Sequence, residues 1–338
     1  MLLRFSSLAL SVFFFGLWAL DAWSFRRRPI ELQARLENLK VNFGKPSYLT
    51  YPQYNPYTPQ KEHLGKLLFF DPLLSRSQTM SCASCHQPQY DFTDPFRKAL
   101  GKDKKPIRRR TQTLLNVAFG MSFFWDGRAS TLEEQAIQPV ESPEEMDLPL
   151  PVLIERLKKH PHYPQLFQSV FPQEGISKSS IAQALATFER SIVSKPAPFD
   201  LWVEGKEEAI SETAKKGFVL FNDKAKCVTC HTGWNFSNGS FADTGLSPED
   251  FGKGKVIGLK ILNHGFKTPT LRNITSRAPY MHDGSIETLE AVIEHYDRGG
   301  TYIRESTQLF INPLGMSQTE KQELLEFLKT LTSQEGLL

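Results

Sequence analysis

Hydrophobic and polar positions along this chain recur mostly with a helical period. Leu289, Val292, Ile293 and Tyr296 fall on one helical face, and Gly299-Gly300 marks the end of that element. Amphipathic helices are expected over residues 181–192 and 320–331, the latter opened by Ser317 with Glu320 three residues on, a capping box. Another box, Ser130-x-x-Glu133, predicts a helix that Pro139 should end or kink, because proline lacks the amide that bonds the preceding turn. Residues 47–59, with Tyr48, Tyr51, Tyr54 and Tyr57 among prolines, read as an extended leader, and Pro196 to Gly205 as a linker. The expected fold class is mainly α.

At 338 residues the chain is long enough for two domains. A formal charge of +3 gives no reason to expect nucleic acid. Residues 1–22 carry Arg4 and then an apolar stretch from Leu8 to Leu20, the profile of an export signal cleaved after Ala22. An uncleaved membrane anchor is the alternative, although Arg26-Arg27-Arg28 would then face outward against the positive-inside tendency.

Cysteine placement adds chemistry. Cys82-Ala83-Ser84-Cys85-His86 returns as Cys227-Val228-Thr229-Cys230-His231, and together they use all four cysteines. C-x-x-C-H attaches a c-type haem: the thiols add to the vinyl groups and the histidine binds iron. A disulfide pair would not require a histidine after each second cysteine, and the halves of a zinc site normally lie closer together. Two covalently bound haem c groups are therefore expected, on the periplasmic side of the membrane.

The repeat extends beyond these motifs. Gly65, Phe69 and Asp71 answer Gly217, Phe221 and Asp223, and Thr111-Gln112-Thr113-Leu114-Leu115-Asn116 answers Thr268-Pro269-Thr270-Leu271-Arg272-Asn273. Asp126-Gly127 answers Asp283-Gly284. The expected organisation is a signal peptide (1–22), a leader (23–60) and two c-type cytochrome domains related by internal duplication. These are 61–200 with the first haem and 206–338 with the second, the C-terminal tail being able to pack back on the first domain.

Past Asp126 and Asp283 the halves align without a gap, so Trp125 answers His282 and Pro139 answers Tyr296. A phenol can be a sixth iron ligand, whereas proline has no side-chain donor. If this position lies over the iron in both halves, the iron on His86 is open beneath Pro139 and the iron on His231 is closed by Tyr296. Tyr90, Met121 and Met146 are other sixth ligands for the first iron. Met281, His282 and His295 compete with Tyr296 at the second, and Tyr296 is equally a core aromatic on its helix stripe. Glu145 and Gln135 belong to the helix and loop that the repeat places over the first haem. Peroxide cleavage needs a group that moves a proton between the two oxygens and a donor that holds the leaving one, and a carboxylate beside an amide can do both. Each also has an ordinary reading, Glu145 in a solvated acidic run (141–145) and Gln135 on a helix surface.

At Phe124-Trp125-Asp126-Gly127-Arg128-Ala129, then Leu132-Glu133-Glu134-Gln135-Ala136, and at Pro279-Tyr280-Met281-His282-Asp283-Gly284-Ser285, the chain resembles the bacterial dihaem cytochrome c peroxidase and MauG family over residues 61–331. The resemblance implies that Cys82, Cys85 and His86 hold the peroxidatic haem, and Cys227, Cys230 and His231 the electron-transfer haem. It makes Trp125 the tryptophan between the haems, and Gln135 and Glu145 the distal glutamine and acid-base glutamate. Tyr296 stands where typical peroxidases have methionine and MauG-type proteins have tyrosine. Lys102 replaces the histidine that blocks the first haem in many peroxidases. Two departures remain: Ala225-Lys226 lies where MauG has its exit tryptophan, and Arg110 lies where the family's calcium-binding asparagine would be, which makes the family's calcium doubtful while Arg277 and Pro279 still offer carbonyls.

The expected function is a periplasmic dihaem oxidoreductase reacting with hydrogen peroxide at an open first haem. Electrons come from a small donor, a cytochrome c or copper protein. The alternatives are a MauG-type enzyme oxidising an aromatic residue of a partner protein and a plain dihaem electron carrier. A homodimer is compatible with the sequence.

Overall fold

The structure, a computed structural model, describes residues 33–333. The export segment expected at 1–22 lies outside them, and no described helix is long and apolar enough to cross a membrane. The chain divides into two units, with the break between Asn42 and Phe43. In the first, residues 33–40 are helical (α1), and Glu37 accepts hydrogen bonds from Gln33 and Lys40.

The second unit is mainly helical. Its helices are α2 (Pro59–Phe70), α3 (Leu132–Glu141), α4 (Leu150–Lys158), α5 (Tyr163–Val170), α6 (Lys178–Ser191), α7 (Pro198–Val203), α8 (Glu212–Asn222), α9 (Gly252–Ile257), α10 (Leu289–Asp297), α11 (Glu305–Gln308) and α12 (Gln318–Lys329). Two short strands, β1 (Phe241–Ala242) and β2 (Phe266–Lys267), pair antiparallel.

One plan of contacts occurs twice. α2 packs on α6 and α8 packs on α12. At each crossing a glycine brings the backbones together: a Cβ at Gly65 would overlap the Ala184 carbonyl, and one at Gly217 the Glu323 carbonyl. The matched asparagines tie the next segments alike. Asn116 N donates to Ile192 O at 2.8 Å and Asn273 N to Leu331 O at 3.0 Å, while Ser194 N and Ser333 N donate back to the two side chains. Gly127 and Gly284 both stand at φ 63°, left-handed backbone that a side chain would strain. α3 and α10 then start from Thr131 and Thr288, whose hydroxyls accept the amides of Glu134 and Ala291.

Several details differ from expectation. Ser317 and Glu320 do form the capping box of α12, but at α3 the cap is Thr131, and Glu134 reaches back to Ser130 N. Glu133 is thereby free to take Arg190 in a bidentate pair and Asn55 at 2.6 Å, which anchors the leader. Pro139 does not end α3, which runs on to Glu141; this close to the helix end proline removes one intrahelical bond and no more. Nor is 196–205 an exposed linker. Phe199 and Trp202 of α7 are fully buried and pack against Phe218 of α8, and Phe199 also meets Phe327 of α12, so this stretch belongs to the core of the second half. Asp200 joins Arg272 and Trp234 there in a buried ion-paired cluster.

Candidate active site

Both cysteine motifs fold as a single 3-10 turn, Cys82–Ser84 and Cys227–Thr229. The carbonyl of each first cysteine takes the amides of the second cysteine and of the histidine, which gathers two thiols and a ring in one place. The four cysteines are unpaired. His86 Nδ1 lies 3.0 Å from Phe92 O, and His231 Nδ1 2.9 Å from Phe236 O. A carbonyl only accepts, so Nδ1 carries the proton and Nε2 keeps the lone pair an iron needs. Burial pushes both imidazoles down, His231 to about 4, which favours this neutral form.

A cavity of about 760 Å³ brings together Cys85, His86, Trp125, Gln135, Pro139 and Glu145. Gln135 and Pro139 are four apart on α3 and share a face. Gln135 Oε1 is buried without a hydrogen-bond partner among the described residues, a deficit of about 1–3 kcal/mol that a donor entering the cavity would relieve. Burial pushes the Glu145 carboxyl above its ordinary value, against a hydrogen bond from Ser142 and the charge of Arg128. The charge of Glu145 reaches both Cys82 and Cys85, which places it beside the first attachment turn. Neutral imidazole, adjacent thiols, a cavity of this size and an orphaned acceptor all fit a covalently held haem.

The remaining sixth-ligand candidates separate. Met146 is buried in the apolar core, Tyr90 is exposed, and Met121 is 76 % exposed at the cavity rim. Lys102 is held on the surface by Asp147 at 2.8 Å. In the second half, His295 has Nε2 on Thr244 O at 2.7 Å and Nδ1 on Thr301 at 3.3 Å, so both ring nitrogens are engaged. His282 is stacked on Phe266 with centroids 3.5 Å apart, and Met281 lines the cavity. Tyr296 is half-buried on the side of α10 near Cys227 and Cys230, and desolvation pushes its phenol well above its ordinary value.

Trp125 stands between the halves. Its ring is 6.4 Å from that of His282, its indole N–H donates to Arg110 O at 2.8 Å, and its carbonyl accepts Lys267 N at 2.8 Å. Arg110 N donates to His282 O at 2.9 Å, so Arg110 and Lys267 are themselves counterparts across the repeat. The Arg110 guanidinium donates to the backbone carbonyls of Asp94, Phe96, Arg277 and Ala278, a protein cation in a cradle of oxygens drawn from both halves. Lys267 was overlooked in the sequence, although it precedes Thr268 as Arg110 precedes Thr111. It lines the cavity, donates to Ser122 O at 2.9 Å, and burial lowers its pKa to about 8.

Comparison with known proteins agrees with this geometry. The family model described as di-haem cytochrome c peroxidase matches residues 59–208. The methylamine utilization protein MauG of Methylorubrum extorquens is 44 % identical over 306 residues, covering 89 % of this chain and 86 % of that protein. The cytochrome c551 peroxidase of Nitrosomonas europaea is 33 % identical over 283 residues, covering 82 % and 81 %. A crystal structure of a MauG-like protein associated with microbial copper homeostasis superposes with TM-score 0.79 at 27 % identity, covering 88 % of this chain and 97 % of that one. The chain is a member of the di-haem cytochrome c peroxidase family, which also includes MauG, and it binds two c-type haems.

Proposed function

We propose that this protein reduces hydrogen peroxide at the first haem site, with the second site holding electrons for that reaction. The observation that carries this is the convergence of Gln135, Pro139 and Glu145 on the cavity that also contains His86. When bound, the haems supply the redox chemistry, O–O cleavage at the first site and one-electron storage at the second.

The chain's own groups do the rest. His86 and His231 offer Nε2 to iron, and the four motif cysteines form the thioethers. Glu145, whose carboxyl burial raises above its ordinary value, takes a proton from the inner peroxide oxygen and returns it to the outer. The Gln135 amide N–H holds the leaving oxygen while its orphaned Oε1 accepts a peroxide O–H. Pro139 leaves room for peroxide because it offers no side-chain donor. Reduction to two waters consumes two electrons and two protons. Trp125 links the sites, and because its N–H donates to a carbonyl rather than a carboxylate, an oxidised ring has no strong base to take its proton. Glu145→Gln should lower peroxide turnover at least about 100-fold, the usual scale for a lost general acid-base group, with both haems still attached in the pyridine haemochrome assay. Wild-type turnover in this variant would refute the assignment.

A second reading is favoured by Tyr296 beside Cys227 and Cys230 and by 44 % identity to MauG. In it the electrons come from an aromatic side chain of a partner protein rather than from a small cytochrome or copper protein. Steady-state turnover with reduced cytochrome c separates the two, since an enzyme of the second kind turns over poorly with a generic donor. We further infer an exported protein from the sequence of residues 1–22, an internal duplication from the paired contacts, and a domain boundary before α7 rather than after it. Arg110 in its oxygen cradle supports a calcium-free join between the halves.

A further inference from the structure

Residues 251–262 carry Lys253, Lys255 and Lys260 and no acidic residue. The run 255–261 is exposed without a break. Within it Val256 is 41 %, Ile257 43 %, Leu259 53 % and Ile261 65 % exposed. Soluble surfaces scatter such side chains singly, and a contiguous group marks an interaction site.

The segment is fastened at its base. Lys253 N donates to Gly265 O at 2.8 Å and His264 N to Phe251 O at 3.0 Å. A Cβ on Gly252 or Gly254 would overlap Gly265 or Asn263, so both glycines let the two arms of the excursion close. Lys253 Nζ is occupied by Gly127 O at 3.0 Å, whereas Lys255 and Lys260 form no ion pair with any described residue. Gly252, Lys255 and Val256 also line the cavity that contains Trp125 and His86. The apolar run is therefore continuous with the mouth of the reaction cavity.

We propose that residues 255–261 dock a protein that bears carboxylates around an apolar patch and supplies electrons by way of Trp125, which lines this cavity and links the two haem sites. The proposal rests on the oxidoreductase reading above. Apolar side chains supply contact area, and the unpaired lysines steer and orient an acidic partner. The nearby carboxylates do not cancel them: Asp250 is taken by Arg108 and Arg109, and the exposed Glu249 lies outside the run. A second copy of this chain fits poorly, because a two-fold contact would set this basic face against an identical basic face.

The test uses the dihaem protein with hydrogen peroxide and three reduced donors: an acidic type I copper protein, a basic cytochrome c and the neutral small molecule hydroquinone. The wild type should favour the acidic protein, with KM rising as salt is added. Lys260→Glu and the double variant Leu259→Ser/Ile261→Ser should each raise KM for the acidic donor about tenfold, a change typical of a lost docking contact, while kcat and hydroquinone turnover hold. Unchanged KM in both variants, or wild-type preference for the basic donor, would overturn the proposal. So would competition by phosphatidylglycerol vesicles that bind the wild type and not Lys260→Glu, an outcome that assigns the face to a lipid surface. Absence of hydroquinone turnover in the wild type would instead sink the oxidoreductase reading itself.

Discussion

At Glu189 on α6 the first half buries a carboxyl where the second has Leu328. The correspondence follows from the shared spacing of Ile192 and Leu331 about the paired asparagines. Glu189 is 4 % exposed and its Oε2 has no hydrogen-bond partner among the described residues. Burial raises its pKa to about 8, with Glu133 adding to the rise and Arg190 opposing it. The folded protein therefore holds a proton here that the unfolded chain releases above the ordinary glutamate range. Its contribution to stability is full below that range and is lost as pH rises toward 8. Glu189→Gln should gain on the wild type by about 1.4 kcal/mol per pH unit across this window, measured by denaturant unfolding at pH 5, 6.5 and 8. Parallel pH profiles for the two proteins would contradict the assignment. Nothing in the sequence marked Glu189, because its significance comes from a partner it lacks. The repeat made Gln135 and Glu145 candidates by placing α3 and its following loop over the first haem, the family resemblance singled them out, and both line the cavity with His86.

Between elements, the helix crossings decide the fold. The glycines at 65 and 217 were visible as a repeated spacing, but their purpose was not, since the surfaces they meet, Ala184 and Glu323, share no side-chain character and are met through their carbonyls. Helix propensity alone says that alanine at either position stabilises by about 1 kcal/mol. Backbone overlap says the opposite, and overpacking of this kind costs about 1–3 kcal/mol. Gly65→Ala and Gly217→Ala should each lower Tm, and a raised Tm in either would show that the helices can separate without loss. The same limit explains the errors at α3 and α7. Ser130 and Thr131 are both competent caps, and with Thr131 as the cap Glu133 pairs with Arg190 across the fold, a contact no local pattern announces. Pro196 and Pro198 suggested a linker, whereas Phe199 and Trp202 were the more informative residues there.

Across residues 43–333 the two halves are joined by several polar ties. Asp91 receives Asn273 at 2.8 Å, Arg109 pairs with Asp126 in its own half and with Asp250 in the other, and Arg110 reaches the Arg277 and Ala278 carbonyls. Trp125 and His282 meet at this join, where the sequence repeat had set them as counterparts. The haem motifs, helical class and family were legible because they rest on local spacing. The join was not, because it depends on pairs more than a hundred residues apart. We propose that these joined halves hold unlike irons, one open under Pro139 and one closed by Tyr296. Low-temperature electron paramagnetic resonance of the protein as purified tests it most directly, on the wild type and on Tyr296→Phe. One high-spin and one low-spin ferric signal, with only the low-spin signal altered by Tyr296→Phe, is the predicted result; two low-spin signals in the wild type, or no change on removing the phenol, would contradict it.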